Sequence, residues 1–139
     1  MYTNNQKKAA DKYKKQSVMT ASPEELTLML YNRCIKDIKS GMEYIEKNDI
    51  EKRNENLKNA QRIVQHLRNT LDKDMEISKN MDNLYEYIYN LLIQGNTKKD
   101  VEKLQEAKSL VEEFRQTWYQ AMKEASKEGV KVVWTGETP

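Results

Sequence analysis

The sequence predicts an all-α protein, an antiparallel up-down four-helix bundle preceded by a mobile or short-helical N-terminal arm. Three observations carry this reading. Gly 4 and Pro 2 in 139 residues are too few turn residues for a sandwich, barrel or Rossmann fold. Apolar residues recur at helical spacing in four long segments, while 33% of the chain is charged, as expected of helices with one polar face. Start and stop signals between the segments leave only short connections, which make consecutive helices antiparallel neighbours.

The arm comes first. Residues 1–20 carry Lys7, Lys8, Lys12, Lys14 and Lys15 against Asp11, or +4, and the remaining 19 basic and 21 acidic residues give −2. A basic arm thus precedes a slightly acidic body, and the division expected is 1–20 arm, 21–127 helical domain and 128–139 tail. The first body helix opens at Ser22-Pro23-Glu24-Glu25. Ser22 is placed to cap, Pro23 occupies the position where a missing N–H is harmless, and Glu25 stands where a capping box needs it. This helix runs from about Pro23 to Lys47, with Leu26, Met29, Leu30, Ile35, Ile38, Met42 and Ile45 on its inner stripe and Cys34 packed among them.

Asn48-Asp49 separates it from the second helix, whose Leu57, Ala60, Val64, Leu67 and Leu71 alternate in heptads, widened by Ile63. Asp72-Lys73-Asp74 breaks the pattern. The third helix is expected to be capped by Ser78, to turn Met81, Leu84, Tyr85, Ile88, Leu91 and Leu92 inward, and to stop at Gly95-Asn96. Tyr85, Tyr87 and Tyr89 span about 200° of it, so at least one tyrosine reaches the surface. The fourth helix begins near Lys99, buries Val101, Leu104, Ala107, Val111, Phe114, Trp118, Ala121 and Met122, and ends at Gly129. The tail carries the apolar run VKVVW.

Most chemistry is excluded by count. One Cys and one His build none of the usual zinc sites, and His66 has Ile63 three residues before it, so no Glu-x-x-His motif for a di-iron bundle exists. Phosphate-binding glycine loops are absent. Neither an enzyme nor a cofactor is expected. A net charge of +2 and scattered Lys36, Lys39, Lys52, Arg53 and Lys58, read as a solvated face, give no nucleic-acid footprint. With no run of 18 apolar residues and no apolar leader, neither membrane insertion nor secretion is expected, and one cysteine suits a reducing compartment. What remains is binding through packing, for which 7 Met and 8 Tyr supply adaptable surface.

Four segments then carry a resemblance. Residues 13–32, YKKQSVMTASPEELTLMLYN, resemble the N-terminal signature of the FliS family of flagellar secretion chaperones. Residues 52–64, KRNENLKNAQRIV, are similar to its second conserved segment, LYEYI at 84–88 to its third, and FRQTW at 114–118 to its last. Glu24 and Arg33 stand where the family usually has glycine, and both favour helix. The likeness covers about residues 13–123; residues 2–12 and the chain from Glu128 match nothing.

The resemblance implies a cytoplasmic chaperone. It would bind the disordered C-terminal segment of flagellin, prevent premature polymerisation and deliver its guest to the export gate protein FlhA. Apolar and polar residues of the matched segments are the expected flagellin groove: Asn56, Ala60, Gln61, Ile63, Val64, Leu67, Met81, Tyr85 and Ile88. Part of the apolar set Ile63, Val64, Leu67, Met81, Tyr85 and Ile88 would be left incompletely covered to receive an amphipathic guest, and Asn56 and Gln61 would bond its backbone. Tyr13, Ser17 and Val18 are the expected lid and gate-docking residues of the arm. The alternative from a different class is a structural or signalling bundle that associates with itself through its apolar stripes.

Overall fold

The computed structural model describes residues 4–129; Met1–Thr3 and residues 130–139, with the expected tail run, lie outside them. The described residues are all-helical with no strand, and they form five helices: α1 Asn4–Thr20, α2 Pro23–Glu46, α3 Ile50–Asn69, α4 Glu76–Lys98 and α5 Val101–Glu128. The arm is therefore a helix of 17 residues rather than a short one, and none of its residues is buried. Its composition explains both facts. Ala9, Ala10 and five lysines are good helix formers, and too few apolar groups remain to dock it on a core.

The other four helices close a ring in which α2 packs on α3 and α5, α3 on α4, and α4 on α5. Neighbours run antiparallel. Arg53 near the start of α3 reaches Asn96 near the end of α4, and Arg68 near the end of α3 reaches Asp82 near the start of α4. Trp118, late in α5, donates its indole N–H to the Glu24 carbonyl at 2.9 Å and so fixes the entrance of α2. Inside the ring lie Tyr31, Ile38, Leu57, Val64, Ile88, Leu92, Leu104 and Trp118.

Side chains cap three of the helices. Ser22 accepts from the Glu25 N–H, Asp49 from the Lys52 N–H, and Asp100 from the Lys103 N–H. Asn48 adopts φ 57, a left-handed conformation that asparagine tolerates, and turns the chain from α2 into α3. Gly129 closes α5 with φ 72.

The start and end of α4 correct the expectation. Its N-cap is Met75, which offers no side-chain hydrogen bond, and Ser78 lies inside the helix and buried. Gly95-Asn96 does not stop the helix, which runs on to Lys98 and turns at Lys99 with φ 53. Gly95 instead lets α5 approach: a Cβ there would lie 2.4 Å from Leu104 Cδ2. Gly41 plays the same part where α2 meets Leu57. Val101 and Leu84, expected inward, are exposed at 37% and 42%.

Arg53 is the other departure. It is buried rather than part of a solvated face, and its Nε donates to Asn96 Oδ1 at 2.9 Å while Asn96 Nδ2 donates to Asn54 Oδ1 at 2.9 Å. A heptad pattern registers apolar residues, so a buried polar chain joining two helices escapes it.

Candidate functional site

The apolar stripe of α3 and α4 is the glue of the ring. Ala60, Val64, Leu67, Met81, Tyr85 and Ile88 are all buried, and Met81 also lines a surface cleft. A stripe of heptad spacing closes a helix pair, so most of this set packs inside the ring, and Met81 at the cleft and Ile63 at the margin are its less covered members. Ile63 is half-buried and packed against the core. Asn56 is half-exposed and donates to the Lys52 carbonyl at 2.8 Å, one turn back in its own helix. Gln61 lines a polar depression with Lys58, Arg62, Gln65 and Tyr89.

The apolar cleft open to solvent lies one face further round, between α4 and α5. Ile77, Met81 and Leu84 line one side, Leu110, Phe114 and Thr117 the other, with Glu113 also at the lining. Both triplets follow i, i+4, i+7 spacing, which stacks three side chains on one helix face. Ile77 is 46% exposed. The cleft rests on the aromatic interior. Phe114 stacks on Tyr85 with ring centroids 4.9 Å apart and lies nearly parallel to Tyr31 at 6.3 Å. Ile77 lies outside the helix that the sequence predicts, whose cap is Ser78, and Leu84 is expected inward with Tyr85, although adjacent positions differ by about 100°. The signal available was a second helical stripe beside the core stripe.

Burial raises three interior groups above their ordinary titration ranges. Burial, and then Asp37, push the Cys34 thiol up to about 12. Burial, and then Tyr31, hold the Tyr85 phenol far above its usual range. Asp37 is also raised by burial, against the lowering effect of Arg33, whose Nε lies 3.2 Å away. On the surface, Tyr87 donates to Glu106 across α4 and α5, and that bond raises its phenol. Among the described residues no group of His, Cys, Asp and Glu is placed to hold a metal ion, and no helix is long and apolar enough to cross a membrane.

On the arm, Tyr13 and Val18 are 73% and 52% exposed, and Ser17 is half-buried. Both apolar side chains stand in solvent in this conformation rather than in the cleft.

Comparison with known proteins gives this arrangement a family. The sequence model described as flagellar protein FliS matches residues 5–125. The flagellar secretion chaperone FliS of Bacillus subtilis is 45% identical over 116 residues, covering 84% of this chain and 87% of that protein. The protein of the same name in Salmonella typhimurium is 30% identical over 113 residues, covering 79% and 84%. That of Vibrio cholerae is 31% identical over 114 residues, covering 78% and 84%. A match of this extent, running from the arm through most of α5, means that the chain belongs to the FliS family of flagellar secretion chaperones, which are not enzymes.

Proposed function

We propose that this chaperone acts in the cytoplasm on flagellin. It binds the disordered C-terminal segment of its guest, keeps it from polymerising early and hands it to the export gate protein FlhA. The ring α2–α5 is the chaperone domain, working as an antiparallel four-helix bundle, and α1 is the arm. The observation that carries the reading is the solvent-open apolar cleft of Ile77, Met81, Leu84, Leu110 and Phe114. Exposed, contiguous apolar surface on a soluble helical body has a use, and an amphipathic helix laid into such a cleft covers it.

Ordering a disordered guest costs several kcal/mol, so affinity stays finite and release at the gate needs no nucleotide. Asn56 and Gln61 lie on the neighbouring polar face and serve guest segments that leave the cleft in extended form. Tyr13, Ser17 and Val18 belong to an arm that is open in this conformation; when closed, it competes for the cleft, and guest binding frees it for the gate.

Titration of the full chain with a peptide of the flagellin C-terminal segment tests this by calorimetry and size-exclusion chromatography. A 1:1 complex is expected. A chain that oligomerises alone and ignores the peptide is instead a self-associating bundle, and that result overturns the proposal.

A further inference from the structure

The apolar cleft between α4 and α5 and the apolar run that follows α5 belong to one chain. The cleft holds about 240 Å³. That is room for roughly eight waters at about 30 Å³ each, or for one large side chain. Ile77, at the end of the cleft nearest the start of α4, is half in solvent.

The run begins directly after Gly129 with Val130, Lys131, Val132, Val133 and Trp134. β-Branched residues and tryptophan favour extended backbone, in which alternate positions share one edge, so Val130, Val132 and Trp134 form a single apolar edge. The described residues contain no strand, and the run therefore finds no sheet edge among them. Such a segment left in water is an aggregation hazard, and side-chain contact with an apolar cleft covers it.

The reach fits. Gly129 closes α5 with φ 72, and a Cβ there would meet nothing within 4 Å, so the chain leaves the helix into open space. On α5 the cleft is lined by Leu110, Phe114 and Thr117, and Thr117 is the member nearest the end of the helix. From Thr117 to Gly129 is about 18 Å at about 1.5 Å per helical residue. From Gly129 to Trp134 is about 16 Å at about 3.3 Å per extended residue. A chain turned back along α5 thus brings Trp134 level with Thr117, and the indole spans the rest. By the same measure Val132 lies near Ala121, a small residue one turn beyond Thr117 on the same face. Lys131 passes the exposed Glu124, since both stand about 7 Å from Gly129 along the axis.

We propose that residues 130–139 fold back along α5 and seat Trp134 in the mouth of this cleft, against Ile77 and Thr117. A short tether holds the run at an effective concentration on the order of mM, so even a weak contact keeps it seated for much of the time. In this conformation α1 holds Tyr13 and Val18 in solvent and leaves the cleft to the run. The fold-back stands by itself; its competition with the guest rests on the reading of this cleft as the flagellin site.

The test labels the full chain with 5-fluorotryptophan, which places one fluorine on the buried Trp118 and one on Trp134. Trp134→Phe assigns the two signals, and relaxation by a neutral gadolinium chelate in solution reads the exposure of each. Trp134 is expected to relax at least threefold less than in a labelled peptide of residues 129–139. Ile77→Asp and Thr117→Arg, both at exposed positions, are each expected to return it toward the value of the peptide. Equal relaxation of Trp134 in chain and peptide overturns the proposal. Protection that survives both variants seats Trp134 elsewhere and overturns it as well. Protection lost on dilution assigns the run to the cleft of a second copy and overturns the fold-back. The full-chain variant Val132→Asp, Trp134→Asp is expected to bind the flagellin peptide at least threefold more tightly, because a closed fraction lowers apparent affinity. Unchanged affinity beside a protected Trp134 overturns the competition alone. A peptide bound by neither chain overturns the flagellin reading, and the fluorine result still decides the fold-back.

Discussion

The hydroxyls of Tyr31 and Tyr85 meet 2.5 Å apart in the buried interior and join α2 to α4 across the ring. Those helices are not ring neighbours, so this bond ties the two halves of the body together across the interior. It also lies directly beneath Phe114, and hence beneath the apolar cleft.

Removing one partner of a buried bond costs more than removing both. Tyr85→Phe is expected to lower unfolding stability by about 1–3 kcal/mol in urea denaturation. The double variant Tyr31→Phe, Tyr85→Phe should fall short of the summed single losses by at least about 0.5 kcal/mol, the signature of a direct coupling. Strictly additive losses would mean that the two hydroxyls do not act as a pair.

Alkaline pH probes the same interior. Cys34 is pushed from its ordinary 9.0 up to about 12 by burial and then by Asp37, so the folded chain keeps a proton that the unfolded chain releases. Its contribution is fully present below pH 9.0 and declines as pH rises toward about 12, by up to about 1.4 kcal/mol per pH unit. Tyr85 shifts in the same direction and adds its own loss above its ordinary 10.0. Cys34→Ala should therefore flatten the stability profile between pH 9 and 10, and the native thiol should resist alkylation that proceeds readily in urea. Rapid alkylation of the folded chain at neutral pH would contradict this burial.

Gly41 and Gly95 should resist the substitution that helix propensity favours. Alanine gains about 1 kcal/mol over glycine in an open helix. Here its Cβ would lie 2.4 Å from Leu57 Cδ2 at Gly41 and 2.4 Å from Leu104 Cδ2 at Gly95, and both leucines are fully buried. Overpacking of about 1–3 kcal/mol outweighs the gain. Both Gly41→Ala and Gly95→Ala are expected to melt lower than the parent; a higher melting temperature would show that the leucines can step aside.

These glycines mark the limit of what the sequence discloses. Helical periodicity made α2, α3 and α5 legible within a few residues, because each has a conventional cap and one apolar stripe. Gly95 and Ser78 misled at the two ends of α4, since the same residue types serve as stop and cap signals or as close-packing and cleft-lining groups, and only the neighbouring helix decides. At the candidate site two apolar stripes overlap in the sequence. The segments that carry the family resemblance contain Val64, Tyr85 and Ile88, whose apolarity is spent on the core. Ile77, Leu84 and Phe114 carry a second stripe that becomes visible only once the first is known to be buried.

The cleft should separate binding from folding. Leu84→Asp replaces a side chain that is 42% exposed and should leave the melting temperature within a few degrees while weakening flagellin peptide binding at least tenfold. Ile63→Asp, at a half-buried position, is expected to lose more in peptide affinity than in helicity; outright unfolding would assign Ile63 to the core. Asn56→Ala should keep or raise the melting temperature, because asparagine is a poor helix former, and weaken the peptide by up to about tenfold if its amide bonds the guest, worth about 1 kcal/mol. Unchanged affinity in Leu84→Asp would move the guest off this cleft, and unchanged affinity in Asn56→Ala would remove Asn56 from the guest contact.

The arm gives the last prediction. No residue of α1, Asn4–Thr20, is buried, so deleting residues 1–16 removes no core contact made by the described residues and should leave the unfolding transition of the body where it is. Its five lysines and the exposed Tyr13 make it a basic helix of low intrinsic affinity for an acidic body, suited to occupying the cleft for part of the time. A competitor present for a fraction of the time lowers apparent guest affinity by that fraction. Deletion should therefore preserve or tighten flagellin peptide binding while abolishing docking to the export gate, measured on the same preparation by calorimetry and by pull-down with the cytoplasmic domain of FlhA. Loss of flagellin binding on deletion would show instead that α1 is part of the receptor surface. Retained gate docking would show that Tyr13, Ser17 and Val18 are not what the gate reads.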